Sequence, residues 1–241
     1  MELTVFGKYG PYAENGGKTS GYLLETANGT FPFEMGSGVF SSLVGKTRPE
    51  KVSAVIISHF HSDHVSDLGV YNYYLESLFR RGLFSGVIRL IVPDEDCAAL
   101  SLIEGMKFFR TERVKGGDII SIGGTSFEFF NARHPVTCLG FRCFSEGKSF
   151  VYSGDTDECS DLKKNLTGAD LALLDGAFLS EKYRAGGPHM SAKICSHLSA
   201  EYGVKTIVTH LQPDYAENEY GKDIGDNALC SIAEEGKTYT I

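Results

Sequence analysis

The segment Ser58-His59-Phe60-His61-Ser62-Asp63-His64 follows directly on an apolar run. Neutral imidazole and carboxylate both bind divalent first-row metals, so this segment offers four metal-binding side chains within six residues. In an extended backbone, His59 and His61 point to the same side and can reach one ion. Asp63 and His64 then turn away from that pair and can hold a second ion beside the first. A polar turn that gathers histidines by chance is the weaker alternative, because the chain has only 7 His.

Length and composition indicate one compact, acidic domain. The chain has 241 residues, 42% of them apolar, and no linker, charge run or repeat divides it, so we expect a single domain over residues 1–241. The net charge of −8 argues against a broad basic surface of the kind that binds long nucleic acid. The six cysteines include no CxxC pair and are expected to be buried thiols.

The N-terminal sequence and the hydropathy of the chain indicate its cellular location. Residues 1–7 have the pattern of a strand and carry no basic, apolar signal sequence. No apolar stretch approaches the ~20 residues that are needed to span a bilayer. We therefore expect a cytoplasmic protein without membrane association.

Strand and helix patterns alternate along the chain. Strands are predicted at residues 3–7, 21–25, 30–34, 52–57, 88–92, 118–122, 125–130, 138–144, 149–153, 171–174 and 205–209. Helical periodicity follows the histidine cluster as far as Gly82 and recurs at 192–202, with shorter helical pieces after Gly38 and Pro93. Pro32 is expected at a sheet edge or at a local irregularity. Groups of strands covered by helices at intervals predict two sheets with helices outside, an α/β sandwich.

Three later residues stand where ligands would be expected. His134 lies in a loop after a predicted strand, while Asp155 and His210 each follow a strand directly, as His59 does. Functional residues concentrate in such loops and strand ends. Each of the three alone is more simply an ordinary loop residue. In a chain that already carries the histidine cluster, the three together indicate a two-metal site.

These motifs resemble those of the metallo-β-lactamase-fold hydrolases, and the resemblance covers nearly the whole chain. It implies an αββα sandwich with a dinuclear site, usually of zinc, at one edge of the sheets. The residues that carry the resemblance are, in chain order, His59, His61, Asp63, His64, His134, Asp155 and His210. The implied ligands of the first ion are His59, His61 and His134. The implied ligands of the second ion are Asp63, His64 and His210, and Asp155 would bridge the two.

The residue at position 155 separates branches of that family. Class B β-lactamases typically carry Cys at the matching position, so antibiotic hydrolysis is not expected here. The segment Ser153-Gly154-Asp155-Thr156 instead resembles the ribonuclease Z and phosphodiesterase branch. Within that branch, Asp175 resembles a catalytic carboxylate that is usually Glu and one methylene longer. His189 resembles its partner near the leaving group, although it would alternatively be a residue that begins a helix.

Two further residues have secondary interpretations. Asp67, one turn after the cluster, is expected to orient a ligand histidine from outside the metal site. His197 lies within the predicted helix 192–202 and is expected to be structural. Asp63, in the histidine cluster, and the pair of Asp175 and His189 are the predicted catalytic residues.

The implied chemistry is hydrolysis. Two ions about 3.5–4 Å apart can share a water and lower its pKa to about 7, which provides hydroxide at neutral pH. A phosphodiester would also place its oxygens on the ions, and His189, oriented by Asp175, would protonate the leaving alkoxide. A lactone or thioester has less need of that acid. Zinc is favoured by the resemblance, although histidine and carboxylate also accept manganese or iron.

The short segment between His134 and Asp155 narrows the choice of substrate class. Ribonuclease Z enzymes of the usual bacterial type carry a long protruding arm between the positions of His134 and Asp155, which here are only 21 positions apart. We therefore predict a phosphodiesterase that acts on a small, cyclic or nucleotide-like diester. Ribonuclease Z-like RNA processing is the second hypothesis, and a lactone or thioester hydrolase and a non-catalytic metal-binding sensor are further ones. The sequence leaves the oligomeric state open.

Overall fold

The computed structural model describes residues 1–241, whose strands form two seven-stranded sheets. In chain order the strands are β1 (Glu2–Gly7), β2 (Gly21–Thr26), β3 (Gly29–Met35), β4 (Val55–Ile56), β5 (Ile88–Pro93), β6 (Phe109–Val114), β7 (Ile119–Ile122), β8 (Thr125–Asn131), β9 (Leu139–Ser145), β10 (Lys148–Tyr152), β11 (Leu171–Asp175), β12 (Lys205–Thr209), β13 (Cys230–Ile232) and β14 (Thr238–Thr240). The first sheet has the order β14-β1-β2-β3-β4-β5-β6, and the second has the order β13-β12-β11-β10-β9-β8-β7.

Seven α-helices and one short 3₁₀ turn connect these strands. The helices are α1 (Val39–Lys46), α2 (Ser62–Val65), α3 (Leu68–Arg80), α4 (Ala98–Glu104), α5 (Ser160–Leu166), α6 (Ala192–Tyr202) and α7 (Glu217–Ile224). The 3₁₀ turn covers Pro49–Lys51. None of the helices combines the length and the apolar character that crossing a membrane requires.

Three apolar clusters divide the molecule into four layers. The central cluster joins the facing surfaces of the two sheets and is rich in aromatic rings, among them Phe33 and Phe141, whose centroids lie 5.4 Å apart. A second cluster packs the outer face of the first sheet against α1, α3 and α4. A third packs the outer face of the second sheet against α5, α6 and α7. The predicted αββα sandwich is thus confirmed, because each sheet is covered on both faces.

The direction of the strands creates one edge at which a site can form. Strands β10, β11 and β12 run parallel, as do β3, β4 and β5 in the other sheet. The carboxyl ends of parallel strands lie side by side, and the segments that follow them meet in one crevice. The histidine cluster begins two residues after β4 ends, so it reaches this edge from the first sheet.

The single helix predicted after the cluster is in fact two helices. The N–H of Asp67 donates to the carbonyl of Met35 at 2.9 Å instead of continuing the helix, which separates α2 from α3. Gly36, next to Met35, lies so close to the backbone of Asp63 that an added Cβ would be 2.1 Å from the Asp63 carbonyl oxygen. The turn after β3 therefore packs on the backbone of the cluster.

The sequence patterns were wrong or silent at several other places. The strand predicted at 52–57 is reduced to β4. Pro32 lies inside the sheet and not at an edge, and the local irregularity expected as the alternative is present: the pairing is interrupted between the isolated bridge of Thr30 with Val52 and the pairing of Phe33 with Ile56. Because proline has no N–H, it cannot contribute to the ladder there. Strand β6 and helices α5 and α7 were not predicted, since polar residues dominate them and leave little periodic apolar signal.

Candidate metal centre

The seven predicted ligands meet at the carboxyl edge of the strands. We call this set the candidate metal centre; it comprises His59, His61, Asp63, His64, His134, Asp155 and His210. Each residue can offer one nitrogen or oxygen atom, and these atoms fall into groups whose members lie within 4.8 Å of one another. Five members are buried, whereas His61 is exposed and His134 is half-buried. The candidate metal centre is therefore open to solvent on the side of these two histidines.

The first group contains three histidines and one aspartate. His59, His61, His134 and Asp155 can each place one atom in a common site. Nε2 of His134 lies 3.2 Å from Nδ1 of His61, so one nitrogen of each ring faces the other. Two imidazole nitrogens that face one another this closely are arranged as ligands around a shared cation would be.

The second group contains Asp63, His64 and His210. Nε2 of His210 lies 3.1 Å from Oδ2 of Asp63 and 3.2 Å from Oδ2 of Asp155. The same Asp155 oxygen lies 3.4 Å from Nε2 of His64 and 3.5 Å from Nε2 of His59. Oδ2 of Asp155 is thus close to members of both groups.

Contacts outside the candidate metal centre fix which nitrogen of a ring faces inward. Nδ1 of His134 donates to the carbonyl of Pro188 at 3.0 Å, so Nε2 carries the lone pair. Nδ1 of His64 lies 3.1 Å from Oε2 of Glu34, an acceptor, and Nε2 again points inward. A histidine held by a carboxylate or carbonyl in this way is typical of metal ligands.

The protein alone leaves this arrangement unsatisfied. Nε2 of His59, Nε2 of His64 and Nδ1 of His210 are buried and have no hydrogen-bond partner. Buried polar atoms are nearly always paired, and an orphaned nitrogen calls for an explanation such as an ion. Nitrogen and carboxylate donors that converge in this way match the coordination preferences of a divalent first-row metal. The residues therefore fit such ions.

The charge states of His59 and Asp155 suit metal binding, whereas burial would lower the pKa of His64 but Asp155 and Glu34 raise it well above its usual value. Burial and the neighbouring His64 hold the pKa of His59 well below its usual value, so this ring is neutral. Burial would raise the pKa of Asp155, but His210, His64 and His59 outweigh it and hold that pKa well below its usual value. Neutral imidazole and ionised carboxylate are the forms in which these side chains bind metals.

Glu34 is a functional residue that the sequence reading missed. Its side chain is 1% exposed; Oε1 accepts from the N–H of Ser58 at 2.9 Å and Oε2 faces Nδ1 of His64. The role of orienting a ligand histidine had been predicted for Asp67, and that prediction is wrong. Asp67 instead accepts from the N–H of Phe40 at 2.8 Å, at the start of α1. Glu34 is the penultimate residue of the buried strand β3, a position similar to those of Asp155 and His210, which follow buried strands.

The predicted pair beside the candidate metal centre is in contact. Nδ1 of His189 lies 2.8 Å from Oδ2 of Asp175, and the Asp175 carboxylate also accepts from the N–H groups of Thr156 at 2.9 Å and Ala177 at 3.1 Å. Burial opposes the charge on His189, but Asp175 outweighs it through charge and hydrogen bonding and raises the pKa of His189 to about 9. Its ring stacks on His210 at 4.9 Å between centroids. His189 is thus held at the rim by Asp175 and His210.

The backbone is strained where two of these residues lie. Only three non-glycine residues have positive φ, and two of them are Glu34 at 57° and His210 at 58°. Such conformations are costly and gather at functional sites. An added Cβ at Gly10 would lie 2.0 Å from Nε2 of His210, so the N-terminal loop packs directly on that ring. His197, by contrast, is exposed on α6, away from the candidate metal centre.

Comparisons with known proteins agree with this geometry. A family model described as "Beta-lactamase superfamily domain" matches residues 39–211. The Bacillus subtilis protein YhfI, named as a probable metallo-hydrolase, is 26% identical over 216 residues, which cover 88% of this chain and 87% of that protein. The crystal structure of YhfI has a TM-score of 0.92 at 24% identity and covers 99% of this chain and 98% of that one.

Two further comparisons are more distant. Ribonuclease Z of Methanosarcina acetivorans is 23% identical over 273 residues, with 90% of each chain covered. The crystal structure of a diphosphatase from the PhnP family has a TM-score of 0.79 at 16% identity and covers 100% of this chain and 97% of that one. At these identities the structural likeness shows a shared fold.

Proposed function

The chain belongs to the β-lactamase superfamily and is a metallo-hydrolase of the metallo-β-lactamase fold, and on this basis we propose that it cleaves small phosphodiesters, cyclic or nucleotide-like. The contact between His189 and Asp175 carries the proposal. The alkoxide that leaves a phosphodiester needs a proton, whereas acyl substrates depend less on such a donor. We also propose that residues 1–241 act as one domain, since segments from both sheets supply the candidate metal centre.

The fold implies divalent metal binding, and we propose two ions, of zinc. The proposed ligands of the first ion are His59, His61 and His134. The proposed ligands of the second ion are Asp63, His64 and His210, with Asp155 shared between the two. When bound, such ions would lower the pKa of water and withdraw charge from the attacked phosphate. The proximity of Oδ2 of Asp155 to His59, His64 and His210 supports its shared role.

Side chains of the protein would supply the proton for the leaving group and orient its donor. Nδ1 of His189 is occupied by Asp175, so its other ring nitrogen, Nε2, is the one available to a substrate. Asp175 is itself held by the N–H groups of Thr156 and Ala177 and cannot swing away. His189 would therefore donate its Nε2 proton to the leaving oxygen, and Asp175 would stabilise the charged ring. Asp63 would orient the attacking water, because its carboxylate lies between His64 and His210.

Ribonuclease Z-like RNA processing is the second candidate. The similarity to the Methanosarcina acetivorans ribonuclease Z favours it. Against it, the chain from His134 to Asp155 contains little beyond β9, β10 and their turns, which leaves no arm to hold a long RNA. The net charge of −8 also disfavours a large nucleic-acid partner.

A substrate panel with zinc-loaded protein tests the proposal. It compares bis(p-nitrophenyl) phosphate and cyclic nucleotides with precursor transfer RNA, a lactone and a thioester. We expect turnover of the small diesters. Turnover confined to the lactone or thioester would contradict the proposal, and cleavage of the precursor RNA alone would favour the second candidate. A metal-loaded protein that is inert on the whole panel would indicate a metal-binding sensor.

Variants of His189 test the proton donor directly. We expect His189→Ala to slow the cleavage of diesters with alkoxide leaving groups by about 100-fold or more. The loss should be much smaller with p-nitrophenolate, a leaving group that needs no proton. His197→Ala is the matched control, because His197 is an exposed histidine outside the candidate metal centre. An equal loss for both leaving groups would remove His189 from this role.

A further inference from the structure

A groove adjoins the candidate metal centre between two loops, and we call it the Arg133 groove. Its volume is about 280 Å³, and its lining residues are Arg133, His134, Pro135, Gly186, Gly187 and Pro188. His134 belongs to the candidate metal centre, and its hydrogen bond to the Pro188 carbonyl joins the two loops. Pro188 also immediately precedes His189. A substrate bound at the centre would therefore extend naturally into the Arg133 groove.

The guanidinium of Arg133 is the only charged group that lines this groove. The side chain is exposed and forms no ion pair within 4.0 Å. The carboxylate of Asp157, whose backbone bridges to that of Arg133, is already engaged: Oδ1 accepts from the Tyr183 hydroxyl at 2.8 Å and Oδ2 from the Gly186 N–H at 2.7 Å. The guanidinium of Arg133 therefore has no direct ion pair with Asp157 or with any other carboxylate of the protein.

The backbone of both walls is fixed. The N–H of Arg133 donates to Oγ1 of Thr156 at 2.9 Å, and its carbonyl accepts from the N–H of Asp157 at 3.0 Å. The opposite wall is held by the hydrogen bond from Gly186 to the Asp157 carboxylate. Asp157 therefore ties both loops together two residues after Asp155. The backbone from which the Arg133 side chain extends is therefore fixed next to the candidate metal centre.

We propose that Arg133 binds a second anionic group of the substrate, so that the preferred substrates are phosphodiesters that carry an additional phosphate. This inference rests on the proposed function, because the additional phosphate is placed relative to a scissile diester at the candidate metal centre. A guanidinium presents a planar fork of N–H donors that matches phosphate oxygens in bidentate contact. The guanidinium of Arg133 would lie beside the scissile diester. It would therefore favour those small diesters that carry an additional phosphate.

Matched dinucleotides test the proposal. Dithymidine monophosphate is compared with the same compound that carries one extra phosphate at its 5′ or 3′ end, and kcat/KM is measured for each. We expect one of the phosphorylated forms to be preferred by roughly tenfold or more. Arg133→Ala should bring that ratio close to one. Arg133→Lys should restore part of it, because lysine keeps the charge but not the fork.

Arg110→Ala is the matched control, because Arg110 is an exposed arginine on β6 and distant in the fold. It should leave the ratio unchanged. A second readout does not depend on turnover: calorimetry compares the binding of thymidine 3′,5′-bisphosphate and thymidine 5′-monophosphate to zinc-loaded protein. We expect the bisphosphate to bind more tightly to the wild type, and Arg133→Ala to abolish the difference.

The outcomes separate the two proposals. Diester turnover without a preference for the extra phosphate would overturn the role of Arg133 and leave the proposed function standing. An equal loss on all three dinucleotides in Arg133→Ala would also overturn it, as expected if the guanidinium only stacks on a base. The protein could also fail to turn over any diester and still prefer the bisphosphate, with Arg133→Ala abolishing that preference. This result would contradict the proposed function and support the anion site.

Discussion

Nδ1 of His64 lies 3.1 Å from Oε2 of Glu34, and both side chains are almost completely buried. Glu34 thereby turns Nε2 of His64 toward Asp63 and Asp155. Because the same carboxylate accepts from the N–H of Ser58, it also fixes the start of the histidine cluster. One residue on β3 thus orients a segment 30 positions later in the chain.

Glu34→Gln should weaken metal binding at the side of His64. The amide removes the charge that holds the imidazole, and loss of such a partner typically lowers metal affinity by about 10- to 100-fold. Competition with a chromogenic chelator measures the affinity. Glu50→Gln, an exposed glutamate in the 3₁₀ turn, is the control and should behave like the wild type. Unchanged affinity in Glu34→Gln would show that His64 needs no such partner.

Asp155→Ala should lower metal content and activity together. Removing the carboxylate that we propose is shared by the two ions would leave the ligand set of each site incomplete. We expect fewer than two ions per chain by elemental analysis, and turnover reduced by about 100-fold or more. The exposed Asp226 provides the control variant Asp226→Ala. Two tightly held ions with full turnover in Asp155→Ala would contradict the proposed ligand set.

Gly10→Ala should disturb the same centre by steric means. The new methyl group would overlap the His210 ring, since its position lies 2.0 Å from Nε2. We expect weaker metal binding with little change in helix and sheet content by circular dichroism. Gly45→Ala is the control, because a Cβ there meets no atom within 4 Å and the residue lies in α1. If the two variants bound metal equally well, the N-terminal loop would not constrain His210.

Phe141→Ala should destabilise the contact between the two sheets. The ring is 1% exposed and packs against Phe33 at 5.4 Å and Phe127 at 5.5 Å between centroids. Deleting a buried phenyl ring costs about 3–5 kcal/mol in the free energy of unfolding. Phe144, on the same strand, is 41% exposed, and Phe144→Ala should cost less than about 1 kcal/mol. Denaturant titration distinguishes the two; equal losses would refute the assignment of the inner face.

The pH dependence of stability should include a contribution from Asp170. Its carboxylate accepts from Nζ of Lys148 at 2.9 Å and from the N–H of Ser149 at 2.8 Å, and these two bonds lower its pKa. Because the pKa is depressed in the folded state, the stabilisation is complete above the unfolded value of about 4 and is lost as the pH falls through the folded value.

Asp170→Asn is expected to lower the free energy of unfolding by about 1 kcal/mol at pH 7. The difference from the wild type should vanish at acidic pH. Urea titrations in the presence of a chelator measure it without a contribution from metal release. A difference that persists unchanged below the folded pKa would mean that packing, and not charge, is responsible.

The fold class and the seven candidate ligands can be read from residue types and their order along the chain. Functional residues concentrate at strand ends and in the loops that follow, so His59, His134, Asp155 and His210 can be recognised from their positions in the sequence. The αββα sandwich followed from the alternation of strand and helix patterns and from the family resemblance. Apolar periodicity is a local property of the sequence. It is visible here because the strands and helices bury one or both of their faces.

The tertiary structure alone decided which polar residues act on one another. Glu34 and Asp67 are both acidic residues near the cluster, and only the fold shows that Glu34 reaches His64 while Asp67 meets the N–H of Phe40. The free guanidinium of Arg133 is likewise invisible in the sequence, because its isolation depends on how Asp157 is engaged. Hydrogen bonds between distant segments depend on ångström-scale placement, which no local pattern of residue types encodes.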